Sequence, residues 1–184
     1  MSEIIEQMQS EHANMSKVLL LLGQQLRILD EGGSADFTLM QDIVDYIMNY
    51  SDRVHHPKED LIYKKLDTTH KELHETLEDL LHDHRDLANK TSQFANTLSE
   101  IILDAIIPRN AVVQQGREFI DANLQHIRRE ESIVFPLASQ SLQQKDWTDI
   151  KKSMADKNDP LSGNVAQKQY QPLYNRIMDL KVKV

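Results

Sequence analysis

Eight residues near the start of the chain, Ile5, Met8, His12, Met15, Leu19, Leu22, Leu26 and Leu29, are separated by gaps of 3, 4, 3, 4, 3, 4 and 3. Side chains at that spacing line one face of an α-helix, so the run predicts a long amphipathic helix with a single buried stripe. Asp30-Glu31-Gly32-Gly33-Ser34 follows as a stop, because glycine accepts the left-handed backbone that ends helices. The pattern recurs. Val44, Met48, Ser51, His55, Glu59, Ile62 and Leu66 predict a second helix from about Thr38 to about Leu66. Its spacing slips by one residue around Pro57, which removes a backbone bond. The stripe resumes afterwards, so a local widening is expected there rather than an end. A third stripe, starting near Thr68 or Thr69, reads Leu73, Leu77, Leu80, His84, Leu87, Thr91, Phe94, Leu98, Ile101 and Ala105, and breaks at Pro108. The fourth reads Val112, Gly116, Phe119, Asn123, His126, Glu130, Ile133 and Leu137.

Four such helices with short connections predict an all-α fold, an up-down-up-down four-helix bundle over residues 1–142. Residues 143–184 read as a helical tail packed on that bundle. In it, Asp146 with Asp149 is expected to cap a short helix carrying Trp147, and Asp159-Pro160-Leu161-Ser162-Gly163 to form a turn. A last helix is expected from about Val165 to Lys181, carrying Tyr170, Leu173, Tyr174, Ile177 and Leu180.

Composition narrows the partners. A net charge of −8 argues against nucleic acid or an anionic membrane surface. No apolar run approaches the roughly 20 residues that a membrane span requires, and Ser2, Glu3 and Glu6 do not form a secretory leader. Cysteine is absent, which excludes disulfides, thiolate metal sites and cysteine nucleophiles, and fits a cytoplasmic, reducing location.

Six titratable residues sit on the stripes, where apolar side chains belong: His12, His55, Glu59, His84, His126 and Glu130. They form a repeat. Glu11-His12 is echoed 72 residues later by Asp83-His84, and His55-x-x-x-Glu59 is echoed 71 residues later by His126-x-x-x-Glu130. An aromatic follows each glutamate, Tyr63 and Phe135. His and Glu four apart lie on one face, one turn from each other. At about 1.5 Å of rise per residue, the six depths permit a single layer across the bundle.

Such a layer is costly unless its charges are matched. Two divalent ions would match them, and imidazole with carboxylate suits iron, manganese and zinc better than calcium or magnesium. Six protein ligands leave two octahedral ions incompletely filled, so an open position for dioxygen, nitric oxide or peroxide is expected. The Glu-x-x-His pattern of ferritin-like proteins does not occur. His56, His74 and His82 fall off the stripes and are expected to face solvent, and His70 to lie at the end of the bundle. His70 and His74, four apart, form a minor surface candidate.

These motifs resemble the hemerythrin-like, or HHE cation-binding, family over about residues 1–140. His55-His56-Pro57-Lys58-Glu59-Asp60-Leu61 looks like the helix-two signature of bacterial members, and His126 to Leu137 looks like that of helix four. The resemblance implies a non-haem centre of two iron ions with an oxo or hydroxo bridge, ligated by His12, His55, Glu59, His84, His126 and Glu130, with both glutamates bridging. Oxygen carriers of the family place His-x-x-x-His on helix three and an aspartate on helix four. Here Leu80 and Ala88 flank His84, and Glu130 replaces the aspartate. Four histidines with two glutamates instead resemble di-iron proteins of iron–sulfur repair, whose additional segment bears a cysteine.

Three functions follow as expectations. One is binding or sensing of O2 or NO, or iron handling. Another is a di-iron peroxidase or nitric oxide reductase, and the third is a metal-free helical interaction module. Oligomeric state is left open.

Overall fold

The computed structural model describes residues 2–154, 159–161 and 170–182. Among them secondary structure is helical and no strand occurs. Helix α1 spans Glu3–Asp30, begins at the side chain of Ser2, and ends where Gly32 adopts a φ of +88°. All eight residues of the first stripe are buried.

The second helical stretch is α2 (Phe37–Tyr46), a π-helical segment (Ile47–His55) and α3 (His56–Thr69), joined without a break. The widening expected around Pro57 is thus real and lies just before it. The His56 N–H bonds five residues back, to Ser51 O. Pro57 follows at once and has no N–H to offer.

A 3-10 turn at Lys71–Leu73 precedes α4 (His74–Ile102), which therefore starts several residues later than the stripe suggested. Helix α5 (Arg109–Arg129) continues through a second π-helical segment (Glu130–Val134) into α6 (Phe135–Ser141). Here the Phe135 N–H reaches back to Glu130 O, again one residue before a proline, Pro136.

This second widening changes the phase of the buried stripe. The sequence pattern placed Ile133 and Leu137 inward, yet Ile133 is 44% exposed while Val134 is 1% exposed. One extra residue in the turn moves every later side chain round the axis, so Val134, Phe135 and Ala138 take the core positions.

Helix α7 (Gln144–Ser153) opens with a reciprocal cap between Gln143 and Asp146, so Gln143 rather than Asp149 is Asp146's capping partner. It packs on α3 and buries Trp147. Helix α8 (Gln171–Val182) lies against α1 and α2, burying Leu173 and Ile177. Buried Asp159 accepts from the Tyr46 hydroxyl and the Asn14 amide, tying the tail to α1 and α2. The expected turn residues Ser162 and Gly163, and the start of the last helix, lie outside the described residues. No helix among the described residues is long and apolar enough to cross a membrane.

Helix α1 packs along α5, α2 along α4, and α4 along α5. Gly116 permits one of these approaches: a Cβ there would lie 2.6 Å from Leu26 Cδ1. Two apolar clusters result. One joins Met15 to Leu29 with α2, the second half of α4, α5 and α8, and the other joins Ile5 and Met8 with Ile62, Leu80, Val134 and Trp147.

Candidate metal centre

Between the two apolar clusters lies a layer of buried polar residues. On α1 it is His12, between Met8 of one cluster and Met15 of the other. His55 and Glu59 occupy the same level on the second stretch, His84 on α4, and His126 with Glu130 on the last. All six expected residues are buried and meet there.

Their donor atoms converge. His12 Nε2 is 3.2 Å from Glu59 Oε1 and 3.2 Å from Glu130 Oε2. His55 Nε2 is 3.0 Å from Glu59 Oε1, and His126 Nε2 is 3.2 Å from Glu130 Oε1. His84 Nε2 lies 3.0 Å from His126 Nε2, 3.6 Å from Glu59 Oε2 and 3.5 Å from Glu130 Oε1. Two overlapping groups could each hold an ion: His12, His55 and Glu59, and His56, Glu59, His84 and His126, with donor atoms in each within 4.8 Å of one another. Glu59 belongs to both, and Glu130 reaches His12 with one oxygen and His126 with the other.

The opposite ring nitrogens face outward to carboxylates, and these follow the internal repeat. Within each half, the acid preceding the lone histidine faces the other imidazole: Glu11 Oε2 is 2.6 Å from His55 Nδ1, and Asp83 Oδ2 is 3.7 Å from His126 Nδ1. Between halves, the acid after each glutamate faces the other half's lone histidine. Asp60 Oδ1 is 2.8 Å from His84 Nδ1, and Glu131 Oε1 is 3.3 Å from His12 Nδ1. The aromatics cross over likewise. Tyr63 stacks on His84 with ring centroids 5.5 Å apart, and Phe135 stacks on His12 at 5.3 Å. Tyr63 also donates its hydroxyl to Glu130. A carboxylate on the outer nitrogen fixes the imidazole's tautomer and turns Nε2 inward, the arrangement found behind metal-bound histidines.

One expectation fails here. His56 does not face solvent: it is buried, and its ring stacks on His84 with centroids 4.3 Å apart. In a regular α-helix, residues 55 and 56 would diverge by about 100°. The wider turn ending at His55 reduces that angle and carries His56 inward. His74 and His82 are exposed as expected, paired with Asp67 and Asp86. His70 is half-buried beside the 3-10 turn and meets Glu72.

A family model, the hemerythrin HHE cation-binding domain, matches residues 3–138. The chain belongs to the hemerythrin HHE cation-binding family. No match was found among curated proteins.

For an HHE domain, the electrostatics of this layer are telling. Burial opposes charge at every imidazole, yet the carboxylates prevail at four of them. Glu130, Glu131 and Glu59 hold His12 well above the usual histidine range. His55 is raised by Glu59 and Glu11. Against burial, Asp60 and Glu130 raise His84 to about 9, and Glu130 and Asp83 raise His126 to about 10. Glu130 is held well below the carboxylate range by His126, His12 and His84 despite its burial. His56 is the exception: burial and the neighbouring imidazoles push it well below the usual range, so it is neutral.

The residues fit a cation pair. Both oxygens of Glu59, His55 Nε2 and Glu130 Oε2 are buried and make no hydrogen bond, although His55 Nε2 and Glu59 Oε1 are only 3.0 Å apart. Close approach without hydrogen-bond alignment is what ligands of a shared ion show. Two donors each about 2.1 Å from one ion, at right angles, lie about 3.0 Å apart.

Proposed function

We propose that this HHE domain binds two iron ions and uses them to bind or sense dioxygen or nitric oxide. The carrying observation is the set of buried, inward-aimed donor atoms of His55, Glu59 and Glu130 that find no hydrogen-bond partner. His12 and His55 would hold one ion, His84 and His126 the other, with Glu59 and Glu130 spanning both. A bound pair of redox-active ions supplies exchangeable electrons and an open coordination position; manganese and zinc suit the same donors but differ in that chemistry.

The protein's own groups shape the pocket. The outward carboxylates orient the imidazoles, Phe135 and Tyr63 cover His12 and His84, and the apolar clusters on either side exclude water. The Tyr63 hydroxyl offers Glu130 a proton-bearing partner inside this dry layer.

Around this centre we read an up-down-up-down four-helix bundle over residues 1–142 with a helical tail over 143–184. The absence of cysteine favours a cytoplasmic location. The test is elemental analysis of protein loaded anaerobically with ferrous iron, followed by titration with dioxygen and nitric oxide. Two irons per chain and stoichiometric uptake of the gas are expected. A chain that retains no transition metal overturns the reading, and repeated turnover of peroxide or nitric oxide would make it an enzyme instead.

A further inference from the structure

Of the chain's five tyrosines, Tyr46, Tyr50, Tyr170 and Tyr174 belong to the apolar cluster that α8 joins, and Tyr63 to the other. Three of them form a continuous run that starts at the buried layer. The Tyr50 hydroxyl bonds to Glu11, the acid that braces His55. The Tyr50 and Tyr46 rings stack with centroids 5.9 Å apart, and Tyr170 meets Tyr46 edge-on at 5.8 Å. Tyr174, four residues on and half-buried, carries the run into α8. Ring contacts of this kind are common in cores, but here the internal repeat does not call for them. The offset of 71 puts exposed Arg117 and Asp121 where the first half has buried Tyr46 and Tyr50.

The two inner tyrosines differ in what faces them. Lys58 Nζ lies 5.6 Å from the centre of the Tyr50 ring and 3.5 Å from its hydroxyl, and it offsets Glu11, 3.6 Å away. A cation over the ring attracts its electrons and opposes their loss. Tyr46 instead donates its hydroxyl to the buried carboxylate of Asp159 at 3.0 Å. Burial and that carboxylate keep the phenol protonated. A phenol that loses an electron becomes strongly acidic, so a carboxylate already holding its hydrogen bond makes the loss easier. The Asn14 amide at 2.8 Å and the Leu161 N–H at 2.9 Å fix Asp159 in place.

We propose that Tyr50, Tyr46 and Tyr170 form an electron relay between the buried layer and α8, with Tyr46 the residue oxidised and Asp159 the acceptor of its proton. This rests on the di-iron reading above. The relay acts when hydrogen peroxide, rather than a gas, enters the pocket. Peroxide takes two electrons and two protons to leave as two waters. In half-reduced protein one electron is drawn from ferrous iron and the other, by way of Tyr50, from Tyr46. The Tyr46 proton moves to Asp159, and both protons for peroxide come from solvent. The oxidising equivalent is thereby moved off the histidine and glutamate donors. A small one-electron donor such as ascorbate then returns an electron through Tyr174 and Tyr170, and Asp159 gives the proton back.

The test looks for the oxidised side chain itself. The full chain is loaded with two irons, reduced by one electron per chain, mixed with one equivalent of hydrogen peroxide and frozen for electron paramagnetic resonance. A tyrosyl radical is expected in the unaltered chain and in Trp147→Phe, altered in the other apolar cluster. Tyr46→Phe should lose the radical while still binding two irons. Tyr170→Phe should keep the radical but slow its removal by ascorbate. No tyrosyl radical in the unaltered chain, a radical undiminished in Tyr46→Phe, or removal as fast in Tyr170→Phe as in the unaltered chain overturns the proposal and leaves the di-iron reading intact. If Tyr46→Phe fails to fold, a ring-fluorinated tyrosine at position 46 decides: fluorine should split the radical signal, and an unsplit signal overturns the proposal. No iron uptake by the unaltered chain overturns both.

Discussion

His55 Nδ1 donates to Glu11 Oε2 at 2.6 Å, joining the first and second helical stretches behind the centre. This is one of three hydrogen bonds in which an acid beside one histidine or glutamate of the layer orients an imidazole elsewhere; Asp83 faces His126 Nδ1 at the longer distance of 3.7 Å. Replacing Glu11 or Asp60 by its amide keeps the shape but weakens the acceptor. Glu11→Gln and Asp60→Asn are each expected to weaken iron binding by roughly 10- to 100-fold. Asp86→Asn, beside exposed His82, should have no effect. Chelator competition measures all three, and equal losses in all would dismiss the orienting role.

Removing a ligand should differ from removing a bystander. His126→Ala deletes a buried nitrogen 3.0 Å from His84 Nε2, and His82→Ala deletes an exposed one. The first is expected to lose bound iron and the second to keep two ions per chain by elemental analysis. Loss in both would show that the ligands are wrongly assigned.

Protons and metal compete for the same nitrogens. Against burial, the facing carboxylates raise His84 to about 9 and His126 to about 10, above the usual 6.5. A raised value means that their contribution to stability is complete below about pH 6.5 and disappears as pH climbs through those values. Metal-free protein should therefore lose stability in urea titrations between about pH 8 and pH 10. Iron affinity should run the opposite way, strengthening with pH by about tenfold per unit for each proton displaced. An affinity that is flat from about pH 6 to 9 would contradict protonated imidazoles in the metal-free site.

Iron should also stabilise the fold. If it binds only the folded chain, a hundredfold excess over the dissociation constant adds about 2.7 kcal/mol. Thermal scans with and without ferrous iron check this, and identical midpoints would favour the metal-free module.

The second π-helical segment makes a packing prediction at neighbouring residues. Val134→Ala empties part of the core and should cost roughly 1–3 kcal/mol. Ile133→Ala, at a 44% exposed position, should cost about 0.5 kcal/mol or less. Denaturant midpoints decide it, and the reverse order would mean that the stripe runs through Ile133 after all.

The helices and the six residues of the layer were readable because both depend on spacing along one helix. The outward acids were half readable. Glu11 and Asp83 stood in the repeat, but an acid beside a histidine looks like any solvated charge until the facing helix is known. His56 and the phase change at Val134 were not readable as such, since a stripe analysed at 3.6 residues per turn assumes that every turn has the same width. Prolines 57 and 136 mark where it does not. Proline alone does not say whether a helix will kink, stop or widen, and here the helix widens just before each.

The crossing of Asp60 to His84 and of Glu131 to His12 has a consequence for assembly. Neither half of the repeat contains a finished half-site, because each supplies the brace for an imidazole on the other. The pocket is complete only with the two halves packed together, and any sliding of one against the other loosens both braces together. Ion affinity is thus a gauge of how the two halves are seated.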